Sequence, residues 1–189
     1  DRLPVLAHPL VGGLLGLGSE TVTSCYATGQ VSGQDYVGGL LGYNDGGTLT
    51  NCYATGDITG NVAVGGLVGE NYYGTVTDCY AIGKVTGTQS VGGLVGASHN
   101  SSASITFCYA AGQVSGGDRI GGLVGSNSEV IRSCYASGEV VGYDYVGGLV
   151  GKHSGGWGRD ASIIEFCYAT GNVTGNVVVG GLLGDNYYS

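Results

Sequence analysis

The chain contains no methionine, two prolines, two phenylalanines and one tryptophan, and Lys and Arg together number only six among 189 residues. Each scarcity excludes something. With so few basic residues and a formal net charge of −8, there is no cationic surface to neutralise a phosphate backbone, so nucleic acid is not a partner. No apolar run approaches the roughly 20 residues that cross a bilayer as a helix, so no membrane span is expected. No stretch of a dozen residues carries a helical period, and 41 glycines would break one, so no α-helix is expected. Proline scarcity and the lack of a Gly-X-Y period exclude collagen. Hydrophobic residues at 42% exclude a disordered tail, which lacks the apolar surface to bury. A chain that begins at Asp1 and has no methionine is expected to be a processed or excised product.

What is present is repetition. Gly-Gly-Leu occurs seven times, starting at Gly12, Gly38, Gly65, Gly92, Gly121, Gly147 and Gly180. Six Cys-Tyr-Ala tripeptides alternate with them, and from each cysteine to the next Gly-Gly the distance is always 13 residues. All length variation lies in the other half, with Ala97 to Phe107 and Lys152 to Phe166 the longest versions. A fixed segment alternating with an elastic one describes a wound core with loops leaving at one corner of every turn. Short β-branched stretches cut by glycine read as strands and tight turns. A unit of about 27 residues with two or three such strands cannot bury its own apolar face, whereas stacked copies can. The expected fold is therefore all-β: a parallel β-solenoid (β-helix) of about seven turns, a rod of roughly 34 Å at about 4.8 Å per turn. Residues 1–10, which hold both prolines, do not fit the repeat and form an N-terminal extension suited to an inter-subunit contact. Residues 11–189 form one solenoid, uncapped at both ends.

In such a stack equal positions form ladders. Valine and leucine ladders are core. Cys25, Cys52, Cys79, Cys108, Cys134 and Cys167 point inward, and Tyr26, Tyr53, Tyr80, Tyr109, Tyr135 and Tyr168 outward. The thiols are open to three readings: a column of small apolar side chains, disulfides between adjacent turns (Cys25 with Cys52, Cys79 with Cys108, Cys134 with Cys167), or a metal site, for which there is no C-x-x-C. The tyrosines either fix register or offer a binding strip for glycans or for a neighbouring molecule.

The segments VGGLLG (Val11 to Gly16), VGGLVG (Val64 to Gly69 and Val91 to Gly96) and IGGLVG (Ile120 to Gly125) resemble the GLUG motif, and the likeness recurs through the chain after residue 10. The motif is found in bacterial surface and secreted repeat proteins, including adhesin-like chains and the non-catalytic part of some immunoglobulin-A-cleaving metallopeptidases. The resemblance implies an extracellular, repetitive, structural or adhesive module. Peptidase activity does not carry over, because H-E-x-x-H is missing.

Catalytic machinery is hard to find in this sequence. The most site-like neighbourhood is Lys152, His153 and Ser154 with Trp157, Arg159 and Asp160, which reads better as a solvated loop. A polysaccharide lyase on a β-helix would need clustered carboxylates and basic residues. Asp35, Asp118 and Asp144 recur in phase, with Arg119 beside one, but at most one pair is close. Weak calcium binding at Asn44 and Asp45, or at Asp118 and Asp144, is the only cofactor expected. The expected role is a non-enzymatic extracellular scaffold that stacks head to tail into a filament or forms part of an adhesin stalk. The alternatives are a glycan-binding adhesive module that uses the tyrosines, and the lyase.

Overall fold

The computed structural model describes residues 9–100, 102–155 and 162–187. The extension proposed for residues 1–10 falls almost wholly outside them. Each coil is built from five short strands, more than the two or three expected. In the second coil they are Asp35–Gly38, Leu41–Asp45, Thr48–Thr50, Tyr53–Ala54 and Ile58–Thr59. Equivalent strands of successive coils pair in parallel and make five faces, here lettered A to E in chain order. No helix occurs among the described residues. Faces A and B have seven strands and faces C, D and E have six. The described residues thus complete six coils and lay down two faces of another, somewhat short of the seven turns expected. The class is the one expected, a parallel β-solenoid.

Register is strict. Tyr26 pairs with Tyr53 and Tyr53 with Tyr80, while Val37 pairs with Val64 and Val64 with Val91. Backbone bonds run along the axis, as in Tyr80 N donating to Cys52 O at 3.1 Å. Inward residues form two hydrophobic columns. One joins faces B, C and D through Leu40, Leu41, Leu49, Cys52, Ala54 and their equivalents. The other joins faces A and E through Val37, Ile58 and theirs. The Gly-Gly pair pinches the wall between the columns. A methyl on Gly39 would lie 2.7 Å from the Ala54 Cβ, so both positions must be small.

Glycine serves here for space and rarely for conformation. The one glycine with positive φ among the described residues is Gly46, whereas thirteen residues of other types adopt it. They fall mainly in two columns. Residues 24, 51, 78, 107, 133 and 166, each just before a cysteine, have φ between 53° and 55°. Tyr36, Ala63, Ser90, Arg119 and Tyr145 turn the chain within face A. Each left-handed residue costs on the order of 1–2 kcal/mol. The stack compensates by bonding the turned amide to the next coil, as Ser24 N donates to Thr50 O at 2.9 Å. The loops of variable length all leave between faces B and C.

Candidate functional site

The six tyrosines that follow the cysteines stack face to face. Ring centroids are 5.0, 4.9, 4.9, 5.0 and 5.1 Å apart from Tyr26 through to Tyr168, with planes within 5° of parallel. Both faces of Tyr53, Tyr80, Tyr109 and Tyr135 are therefore covered by other rings. Their hydroxyls and edges reach solvent, and only Tyr26 and Tyr168 keep one face open. Sugar rings bind aromatic side chains through the ring face, so this strip offers little to a glycan along most of its length.

The cysteines run behind the tyrosines in single file, and all six thiols are free. The four inner ones, Cys52, Cys79, Cys108 and Cys134, are at most 1% exposed. Each thiol has two carbonyls within reach of its single hydrogen, one two residues earlier and one on the preceding coil; Cys108 Sγ lies 3.1 Å from Thr106 O and 3.5 Å from Val76 O. It also accepts the amide of Cys79 at 3.4 Å. The file titrates as a connected chain. Burial raises Cys52. Bonds to Cys134 and Cys79 raise Cys108, with burial acting in the same direction. The same bonds from Cys108 lower Cys79 and Cys134. The structure thus places the thiols in a column of small side chains, with a hydrogen-bond role that cysteine count alone did not disclose.

A buried polar ladder on face B escaped the sequence reading. Asn44, Asn71, Ser98, Asn127 and His153 occupy successive coils in register. The four preceding His153 are fully buried and His153 is 2% exposed. Asn44 Nδ2 donates to Asn71 Oδ1 at 2.8 Å and to Gly47 O at 3.0 Å, and Asn71 Nδ2 donates to Gly74 O at 2.8 Å. The signal available in sequence was Asn-x-x-Gly repeated at 27 residues, which looks like turn chemistry and is in fact a cap on the corner carbonyl. Asn44 is thereby engaged in the ladder through its Nδ2.

His153 needs a correction. It is not in a solvated loop but at the core end of this ladder, in the strand Val150–Ser154. Its Nε2 lies 2.7 Å from Ser162 Oγ, a separation suited to a nucleophile and its base. The hydrogen placement opposes that use. Asn127 Nδ2 donates to Glu129 O at 2.9 Å and, with its second hydrogen, faces His153 Nδ1 at 3.0 Å. Nδ1 is then the acceptor, Nε2 carries the hydrogen, and the ring donates to Ser162 instead of taking its proton. Burial also holds His153 below the usual histidine range. Trp157, Arg159 and Asp160 lie outside the described residues.

Two carboxylates sit in unusual surroundings. Burial pushes Glu70 up to about 7 and Glu129 up to about 8. Glu129 is 2% exposed, with the Ser128 hydroxyl 3.5 Å away. Asp118 and Asp144 pair in register on face A, as their phasing suggested. Arg119, however, is bound to Asp118 at 3.1 Å and is half-buried. Asp35 belongs to the same column, separated from that pair by Val62 and Gln89. No group of three or more His, Cys, Asp or Glu arranged to hold a metal occurs among the described residues.

An exposed aromatic pair lies beside the cysteine file. Phe107 and Phe166, the only phenylalanines in the chain, are 63% and 81% exposed. Both have positive φ. Sequence reading gave no hint of it, because nothing in a single copy of the repeat marks the residue before cysteine as left-handed.

The geometry agrees with what the chain is similar to. The model of the GLUG motif matches residues 33–59, 60–86, 116–141 and 142–174, more than half of the chain and each a single coil of the solenoid. No curated protein and no solved structure matches the chain. GLUG repeats are not a known enzyme family. Coil length, Gly-Gly pinch and four repeat matches agree, and the chain belongs to the GLUG-motif family.

Proposed function

We propose that this chain is a non-enzymatic structural scaffold of the cell surface or extracellular space, extended by stacking further coils in register. The observation that carries the reading is the way each coil's side chains are matched to the same side chains one coil away. Tyrosine stacks on tyrosine, cysteine bonds cysteine, and valine packs on valine. A coil with such an edge accepts any other coil of the same repeat, from a second copy or from more of the same polypeptide. At the described termini, Leu14, Leu15 and Leu17 at one end and Val177, Val179 and Leu182 at the other are exposed members of the ladders. Their burial in a head-to-tail contact gives the apolar contribution to assembly. Surface location is supported by the family resemblance.

Gly181 supplies the test. A methyl on Gly148, its equivalent one coil earlier, would lie 2.1 Å from Gly181 O, whereas a methyl on Gly181 meets nothing within 4 Å. Gly181→Ala therefore leaves the monomer intact and obstructs a coil laid on face A. Sedimentation velocity and electron microscopy should show rods that lengthen with concentration for the parent chain and monomers for Gly181→Ala. A parent chain that stays monomeric at high concentration refutes head-to-tail stacking.

A further inference from the structure

Phe107, Ser133 and Phe166 stand in one column on consecutive coils. The neighbouring register, Thr106 with Arg132 and Arg132 with Glu165, places them so. The amides agree, with Phe107 N donating to Arg132 O and Ser133 N to Glu165 O, both at 3.1 Å. Earlier coils put Ser24, Asn51 and Asp78 in this column, residue types that either tolerate a left-handed backbone or are small and polar. Phenylalanine does neither. It is strained there, at φ 54° and 55°, and its ring is left in water. Strain and exposure both oppose folding, and the bond from the Phe107 amide to Arg132 O does not bury its ring. Residues held against both costs mark functional positions.

The spacing indicates the guest. Side chains with the same φ in the same column leave the backbone in the same direction, and the two phenylalanines are two coils apart, about 9.6 Å at the usual strand spacing. Ser133 between them is small, so a slot remains. A flat aromatic guest with carbon contacts of about 3.5–4 Å on each side fills only about 7–8 Å of it. A saturated sugar ring, with hydrogens on both faces, is thicker and suits it better. Polar groups lie alongside: Arg132 and Glu165 form an exposed ion pair, and Ser133 brings a hydroxyl. The ion pair is neutral as a unit, and exposed Asp78 precedes Phe107 in the same column, which favours an uncharged ligand over a polyanion.

We propose that Phe107 and Phe166 are a clamp for one pyranose ring of a neutral oligosaccharide, with Ser133 as floor and Arg132 and Glu165 as hydroxyl partners. The clamp differs from the tyrosine strip in having ring faces that no other ring among the described residues stacks on, and it does not depend on assembly. An aromatic pair with a few placed polar groups is the usual composition of such sites.

The test uses the full chain and calorimetric titration with neutral β-1,4-linked glucose, N-acetylglucosamine and mannose hexaoses, with hexagalacturonate as the acidic comparison. At least one neutral hexaose should bind in the millimolar range or tighter, and Phe107→Asn and Phe166→Asn should each weaken it about tenfold or more. Asparagine suits the left-handed backbone, so both variants should melt no lower than the parent, which separates lost binding from lost folding. Ser133→Phe keeps both rings but fills the slot, and it should abolish binding. The proposal is overturned if no neutral hexaose binds, if only hexagalacturonate binds, or if the double Asn variant or Ser133→Phe binds as the parent does.

Discussion

Gly66 lies directly against Gly93 of the following coil: a methyl group on Gly66 would stand 2.1 Å from the Gly93 carbonyl oxygen and 2.8 Å from the Ala81 Cβ. Backbone cannot retreat from such a contact without breaking the stack. Gly66→Ala is expected to destabilise by at least about 3 kcal/mol, at the upper end of overpacking costs. Gly29→Ala is the control. It meets nothing within 4 Å, while its equivalent Gly56 would strike Gly29 O at 1.9 Å. Gly29→Ala should change stability by no more than about 0.5 kcal/mol, measured by thermal or denaturant unfolding.

The thiol file makes a prediction about reactivity. Six thiols should be counted in denaturant. In the native protein Cys52, Cys79, Cys108 and Cys134 should be protected, and Cys25 and Cys167, at the ends of the file and half-buried, should react first. A thiol-specific reagent followed by mass spectrometry reads both numbers. Fewer than six thiols in denaturant would mean that adjacent coils are bridged.

Stacking predicts a position effect among identical residues. Tyr80→Ala loses contact with two rings and Tyr26→Ala with one. At about 0.5–1.5 kcal/mol per pair, the first should cost roughly twice the second. Tyr80→Phe retains the ring and should be close to neutral. Equal losses for Tyr26→Ala and Tyr80→Ala would show that stacking is not what holds the column.

Glu129 gives the pH dependence. Its folded value of about 8 exceeds the ordinary 4.5, with burial as the cause, opposed by the Ser128 hydroxyl; Tyr73 is the titratable group that senses its charge. Between about pH 4.5 and 8 the unfolded chain gives up a proton that the folded chain retains, so this group's contribution to stability is present at low pH and is lost as pH rises. Melting temperatures of Glu129→Gln and the parent should agree at pH 4.5 and separate progressively toward pH 8, with the variant higher. A constant difference across that range would contradict the buried, neutral carboxyl.

Much of the fold was legible because the constraint was periodic. A constant 13 residues from cysteine to Gly-Gly can only be kept if that part of every coil is stacked, and the ladders follow from it. Five strands per coil were not legible, since pairs such as Tyr53–Ala54 are too short to show alternation. The polar ladder was hidden for a different reason. Asn44 and Asn71 look like turn residues to any local reading, and only axial stacking turns their amides toward one another. His153 was misplaced because its coil carries the longest insertion, which makes a buried strand resemble loop. Left-handed Phe107 and Phe166 run against local preference, so only the three-dimensional stack reveals them.

Since every variable loop departs between faces B and C, four flanks of the rod stay the same whatever is inserted. Duplicating one coil lengthens the rod without disturbing its neighbours, and changing one loop alters its chemistry without changing its length. The gene can therefore vary reach and decoration separately, and a lineage of such chains is expected to differ in coil number and in that single fringe far more than in cross-section.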